Sequence, residues 1–402
     1  MVIGFAVASG GASAASLPPS TWVALTTVPG AGQTPVFALA VNPVNDQDVI
    51  AGNASGGLYR SVNAGSTWTS VHSGKAGILT IAFSPFNPAT LLAGTNGGGV
   101  LLSTDGGSKW RAAQGMDGRD VRTFGFARSQ VLAGTDKGVY TSDDGASWTQ
   151  SGLPTVSIDA LAVAAVNPPV RVFAGGETAA GGGALLYQSA DGGTTWSVMN
   201  PAISGTIVTR LTAGPLPPGS DLRPLVLGTN TGLFYSKDNG ATFTALSGGA
   251  LLPSTDYTQA VFAATHFDRF FVASDGGGGS SGGLWSTADS GRHFSDLLPP
   301  LASVTSIAVS NDELPIVYVA TFRPGDHTPA MWAFRDTGGT PQGPAFTSTP
   351  QATASRTGTQ SNAVLDLLQA LASSQVPYVA VGVIALLLIG LAIWSHFRSR
   401  RR

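Results

Sequence analysis

STDGGSKW at positions 103–110 decides the fold, because the same eight-residue turn returns along the chain. It appears as SVNAGSTW at 61–68, TSDDGASW at 141–148 and SADGGTTW at 189–196, then as SKDNGATF at 236–243 and TADSGRHF at 287–294. A decayed copy, FRDTGGTP, occupies 334–341, and Ser20, Thr21 and Trp22 keep only the end of the pattern. The closing aromatics fall at 22, 68, 110, 148, 196, 243 and 294, at intervals of 38 to 51 residues. A period of roughly 40–50 residues holding four short strands is the spacing of propeller blades. The strands can be read inside each unit. ILTIAFSP, ATLLAGT, GGVLLST and KWRAA run through the second unit, and VRTFGFA, QVLAGT, GVYTS and SWTQS through the third. Apolar and β-branched residues fill them, and Gly, Pro, Asn and Asp mark the breaks.

The turn has its own chemistry. An Asp accepts hydrogen bonds from backbone N–H groups of its own turn, and the Ser or Thr hydroxyls bond the same turn. A Gly two residues after the Asp supplies a positive φ that other residues resist. The aromatic then packs between neighbouring sheets, where a large ring stabilises by about 1.5–3 kcal/mol.

This motif resembles the Asp-box, or BNR repeat, found in the propellers of sialidases, xyloglucanase-type glycosidases, sortilin-type receptors and photosystem II assembly factors. The resemblance covers about residues 20–341. It implies that Asp105, Asp143, Asp191, Asp238 and Asp289, with Trp110, Trp148, Trp196, Phe243 and Phe294, are folding residues on the outer rim. The first copy departs from the family with Asn63, and the seventh with Phe334 and Pro341, so those two corners are expected to be held less tightly. The intervals count seven blades, with six or eight as the alternatives. The segment TWVALTT at 21–27 is expected to complete the last sheet, so that one sheet joins both ends and no edge is left open. The expected fold is an all-β, seven-bladed β-propeller over 17–341 closed by an N-terminal strand, plus one C-terminal transmembrane α-helix.

The flanks carry that last expectation. Residues 376–394, VPYVAVGVIALLLIGLAIW, hold no charge, and Tyr378 and Trp394 sit at their ends. Such a helix is about 28 Å long, close to the hydrocarbon thickness of a bilayer. His396, Arg398, Arg400, Arg401 and Arg402 follow in a basic tail at 395–402, whereas upstream no Lys or Arg lies nearer than Arg356. The positive-inside rule therefore puts the tail in the cytoplasm and the propeller outside. A Ser/Thr/Pro/Gln-rich stalk with a short helical pattern spans 342–375. Residues 1–16 read as a signal segment, with Ala12, Ser13 and Ala14 as a cleavage-like site, although no positive charge precedes the apolar run.

Composition narrows the function. The 402 residues carry a net charge of −2 with only 11% charged residues, so nucleic-acid binding has no electrostatic footprint. There is no cysteine, and the five histidines show no paired spacing, so no metal or other cofactor is expected. A sialidase needs an arginine triad and a Tyr–Glu pair. Here the first corner is preceded only by Arg60, and the two glutamates, Glu177 and Glu313, lie in different blades. A glycoside hydrolase would have to use loop carboxylates such as Asp159, Glu177 or Asp275.

Aligning the first strands places Phe37, Leu79, Arg122, Asp159, Thr209, Gln259 and Thr305 in one column at the channel mouth, with Arg210 adjacent. The loops after the second strands add Asn53, Thr95, Asp136, Glu177, Asn230, Asp275 and Arg323. The expected ligand-binding set is Arg122, Asp159, Glu177, Arg210, Gln259, Asp275 and Arg323, with no catalytic residue. The expected function is a non-catalytic module that binds protein or carbohydrate, held to the membrane by the C-terminal helix. The alternative is a membrane-tethered glycoside hydrolase.

Overall fold

The computed structural model describes residues 17–338, apart from 30–31, 179–183, 248, 253–254, 278–281. The expected signal segment, stalk, transmembrane helix and basic tail, and Pro341, lie outside the described residues. Among the described residues, no helix is long and apolar enough to cross a membrane.

Twenty-eight strands follow one another in the described chain. An outlying β1 (Trp22–Ala24) comes first. Blade I is β2 (Val36–Asn42), β3 (Asn45–Asn53), β4 (Gly57–Ser61) and β5 (Thr69–Ser73). Blade II is β6 (Ile78–Phe83), β7 (Leu91–Thr95), β8 (Val100–Ser103) and β9 (Arg111–Ala112). Blade III is β10 (Val121–Phe126), β11 (Val131–Thr135), β12 (Gly138–Ser142) and β13 (Thr149–Gly152). Blade IV is β14 (Val156–Ala165), β15 (Arg171–Thr178), β16 (Ala184–Ser189) and β17 (Ser197–Met199). Blade V is β18 (Val208–Ala213), β19 (Leu225–Thr229), β20 (Gly232–Ser236) and β21 (Thr244–Leu246). Blade VI is β22 (Gln259–Phe262), β23 (Phe270–Ser274), β24 (Gly283–Thr287) and β25 (Ser295–Asp296). Blade VII takes β26 (Val304–Val309), β27 (Ile316–Arg323) and β28 (Thr328–Arg335), and borrows β1 as its outer strand.

The result is seven four-stranded antiparallel sheets, as the repeat count predicts. The first strand of every sheet touches the first strands of the sheets before and after it, and β26 returns to β2, so these strands form a closed inner ring. Closure is also made at the rim, where Trp22 pairs with Phe334 and Ala24 with Trp332. The Trp22 and Phe334 rings lie 5.0 Å apart. The N-terminal strand thus completes the last sheet, as the sequence predicts.

A small residue near the end of each second strand lets the blades meet. A Cβ on Gly134 would stand 2.6 Å from Thr123 Cγ2 and 2.7 Å from Ile158 Cγ2. Gly52 is pressed the same way by Ile78, Gly94 by the Val121 carbonyl, Gly175 by Val208 and Gly228 by the Tyr257 carbonyl. The recurring A-G-T of the sequence is therefore a contact surface for the next blade, and any larger side chain there overpacks it.

The repeated turn sits at the corner between third and outer strands. In blade II, Ser103 Oγ donates to Asp105 Oδ1 at 2.9 Å and accepts from Gly107 N at 2.9 Å, while Asp105 accepts from Lys109 N at 2.9 Å. The corner glycines Gly65, Gly107, Gly145, Gly193, Gly240 and Gly291 all have φ between 76° and 92°. The turn's own bonds depress the acids. The Thr195 hydroxyl and amide and the Ser189 hydroxyl hold Asp191 down at about 2. The ring that closes each turn packs on the preceding blade, as Trp148 of blade III does against Leu92 and Leu102 of blade II.

Three corners differ from expectation. In blade III the bonding carboxylate is Asp144, not Asp143. Asp144 Oδ1 accepts from Ser142 Oγ at 3.3 Å and from Ala146 N at 2.8 Å, and Gly145 N donates to Ser142 Oγ at 2.8 Å. This turn is one residue shorter than the others, and alignment on Trp148 hides the deletion. Asn63 of the first corner makes the same bonds as an aspartate, accepting from Ser61 Oγ and Thr67 N at 2.9 Å each, so that corner is not loosened. Its amide oxygen suffices because the donors are uncharged hydroxyl and N–H groups. In blade VII, Phe334 replaces the hydroxyl residue and is buried, and Asp336 instead pairs with Arg269 of blade VI.

Arg269 and Asp336 are only 5% and 6% exposed, so each is the other's charge compensation. Asp336→Ala is expected to cost about 3–5 kcal/mol by stranding Arg269, whereas Arg269→Met with Asp336→Leu is expected to stay within about 1–2 kcal/mol of wild type. Denaturant unfolding followed by tryptophan fluorescence checks both, and equal losses in the single and double variants would contradict the pairing.

Candidate functional site

The first strands all begin at one end of the channel. Antiparallel alternation brings the turns between second and third strands to that same end and sends the corner turns to the other. In six of the seven blades the ladder between first and second strands slips by one residue at this mouth. The slips leave Phe37, Leu79, Arg122, Asp159, Thr209 and Thr305 without a residue opposite them. Such bulged residues are re-aimed out of the sheet. Six of the seven residues in the sequence column therefore form a real structural ring.

Gln259 does not belong to that ring. It pairs with Ala273 just as Arg210 pairs with Gly228 and Ala38 with Gly52, one step past the bulge. Thr258 takes the ring position in blade VI. The strand β22 begins after its bulge, so an alignment on strand starts misplaces it by one residue.

Blades III and IV carry a charged cluster. Arg122 donates through Nη1 to Asp159 at 2.6 Å and to the Ser157 hydroxyl, and through Nη2 to Asp120 at 3.4 Å. Asp159 is pulled up from the ordinary carboxylate range by burial, held back by Arg122, and pushed up again by Glu177, which pairs across the ladder with Ser157. Beside them Arg119 Nη1 reaches Asp136 at 3.1 Å. Arg122, Asp159 and Glu177 are thus brought together as one set, and Asp120, Ser157, Arg119 and Asp136 join it.

Blades V and VI carry a second cluster. Arg210 stands one step inside the ring on β18. Thr209 Oγ1 donates to the Tyr257 carbonyl at 2.8 Å and so ties β18 to the segment entering β22. Asp256 lies in that segment and faces Asp275, which follows β23; both approach Gly277. Arg323 joins neither cluster, because its Nη1 bonds Asp326 at 2.9 Å within the exposed hairpin of blade VII. Asn53 and Thr95 are not at the mouth surface either. Asn53 Oδ1 accepts from Gly57 N at 2.8 Å and Thr95 Oγ1 donates to Gly99 O at 2.8 Å, so both are buried caps of their hairpins. The remaining arc is apolar, with Leu79 and with Phe37 at 39% exposure.

Asp256, Asp120 and Thr258 were outside the sequence-based set. The only sequence signal for them was their place one to three residues before a first strand, which takes meaning once the bulge register is fixed.

Comparison with known proteins follows the fold. No protein-family model matches this chain, and no curated protein does. Solved structures do match. YCF48 from Cyanidioschyzon merolae aligns with a TM-score of 0.56 at 13% identity, over 78% of this chain and 98% of that one. PorZ, a bacterial surface component of the type-IX secretion system of Porphyromonas gingivalis, aligns at 0.54 and 13%, over 82% of this chain and 39% of that one. An ancestral GH74 enzyme aligns at 0.48 and 19%, over 74% of this chain and 40% of that one. This chain therefore spans well under half the length of the last two. At such identities the likeness is one of fold. The chain is a seven-bladed β-propeller, and proteins similar to it in structure include an enzyme and a secretion-system component.

Burial, then the charge of Asp275, lift Asp256 to about 6 from an ordinary 3.8. The unfolded chain gives up this proton first, so stability is full below about 3.8 and declines as pH rises toward 6. Asp256→Asn is expected to remove that decline and to melt above wild type at pH 7 but not at pH 4. Thermal melts at the two pH values check it; a variant that melts lower at pH 7 would contradict the assignment.

Proposed function

We propose that this chain is a membrane-anchored, extracytoplasmic propeller that binds a protein segment or a glycan at the channel mouth and carries out no reaction there. One observation carries the reading: the mouth is a ring of bulged side chains with an apolar arc at Phe37 and Leu79 and a preset ion-pair network around Arg122. Arg122 is held by Asp159, Asp120 and Ser157. Side chains fixed in this way bind a partner with little further loss of conformational entropy. Protein is the favoured ligand class, because the apolar arc suits side chains better than hydroxyl-bearing sugar rings.

The full chain, solubilised in detergent, is expected to capture a partner from native extract. Phe37→Asp and Arg122→Ala should each reduce capture about tenfold or more, while Lys237→Ala on the opposite face leaves it unchanged. Capture that ignores both mouth variants would count against the site.

A second reading, glycoside hydrolysis, draws on Asp256 and Asp275, since a carboxyl lifted to about 6 beside another acid is how a general acid is kept protonated. Polysaccharide turnover that disappears in Asp256→Asn and Asp275→Asn would favour it over binding alone.

The anchor and orientation rest on the apolar run at 376–394 and the arginines that follow it. Lys75, Lys109, Lys137 and Lys237 are exposed on the propeller. A membrane-impermeant amine reagent is expected to label them in intact cells. Labelling only after permeabilisation would reverse the orientation.

A further inference from the structure

Arg122 stands in the mouth ring on blade III and Arg210 one step inside it on blade V, and the fold treats them oppositely. Arg122 has three protein partners. Arg210, among the described residues, has none. Its Nε is shut off from solvent without a hydrogen bond, while the residue as a whole is half-buried. Because Arg210 lies on an innermost strand, the solvent it meets is that of the channel. Burial pulls its pKa down, with no carboxylate acting against that. A cation partly withdrawn from water, with one nitrogen sealed off and unpaired, is costly and rarely kept without a compensating group.

A second orphan stands beside it. The Thr258 hydroxyl is buried without a partner. Three contacts place the two together: Arg210 pairs with Gly228, the Tyr257 carbonyl presses on Gly228, and Thr209 bonds that same carbonyl. A guanidinium and a hydroxyl on neighbouring strands, both donors and both unused, are the complement of one anion.

We infer that Arg210 and Thr258 form an anion site in the channel between blades V and VI, and that it takes the carboxylate of a peptide ligand. One cation and one hydroxyl balance a single negative charge and fall short of a phosphate dianion's two. A peptide is favoured over a sugar acid because the opposite arc of the ring carries Phe37 and Leu79, which accept an apolar side chain and would leave sugar hydroxyls unpaired. The inference rests on the mouth being a binding site and specifies what enters it.

The probes are acetyl-Gly-Gly-Leu as the free acid, its C-terminal amide, and methyl glucuronide, titrated by calorimetry against the full chain in detergent. The free acid is expected to bind about tenfold or more tightly than the amide, and the glucuronide no better than the amide. Arg210→Gln should erase the difference and Thr258→Val should narrow it. Arg210→Gln should also melt no lower than wild type, since it removes only an uncompensated charge. Equal binding of acid and amide, an unchanged preference in Arg210→Gln, or preference for the glucuronide would overturn the inference. So would displacement of the acid by equimolar acetate, which would mark an adventitious ion only. Partner capture that depends on Phe37 but not on Arg210 sinks this inference alone. An acid preference without mouth-dependent capture sinks the binding reading and leaves the anion site standing.

Discussion

The propeller depends on how closely each innermost strand can approach the second strand of the blade before it. Gly52, Gly94, Gly134, Gly175 and Gly228 hold five of the seven joints open to that approach. In the other two, Ala273 faces Val304 and Ala320 faces Val36 within shared apolar clusters. Seven blades must fit around one axis, so a side chain that widens a single joint is felt by the whole ring. Close packing of this kind transmits small changes in volume rather than absorbing them.

The same constraint creates the mouth. A first strand that presses on the next blade along most of its length is released only where its ladder slips, and the slip recurs at the same level in six blades. The released residues are the ones that vary in character around the ring: aromatic and aliphatic in blades I and II, charged in III and IV, hydroxyl-bearing in V to VII. These side chains lie outside the apolar inter-blade core, and where they join blades, as Thr209 and Thr305 do through a carbonyl of the next blade, they do so by single hydrogen bonds. Packing thus fixes the scaffold and leaves the ring free to specify a ligand.

The corner turns illustrate redundancy in the same scaffold. A hydroxyl, an acid and a positive-φ glycine satisfy the corner's backbone groups in blades II to VI, and asparagine serves equally in blade I. In the described part of blade VII, Gly338 N still donates to Asp336 Oδ1 at 3.3 Å, but the hydroxyl residue is replaced. There Phe334 fills the core against Trp22, and a buried Arg269–Asp336 pair holds the corner to the neighbouring blade. The sheet that joins both ends of the propeller is thus held within itself by the Trp22–Phe334 contact and to blade VI by the Arg269–Asp336 pair.

Blade number, strand order and ring closure were all legible in the chain itself, because each is written locally: a period in Ser–Asp–Gly–aromatic turns, alternation within strands, and a lone outer strand at Trp22. Register was not legible to the residue. The one-residue deletion that makes Asp144 rather than Asp143 the corner acid, and the bulge that puts Thr258 rather than Gln259 in the ring, leave no mark on composition or period. Nor could spacing show that Arg122 is saturated while Arg210 is not, or that Asp256 meets Asp275. Those facts are set by which strands lie side by side across the channel, and hydrogen-bond partners between residues dozens of positions apart exist only once the ring has closed.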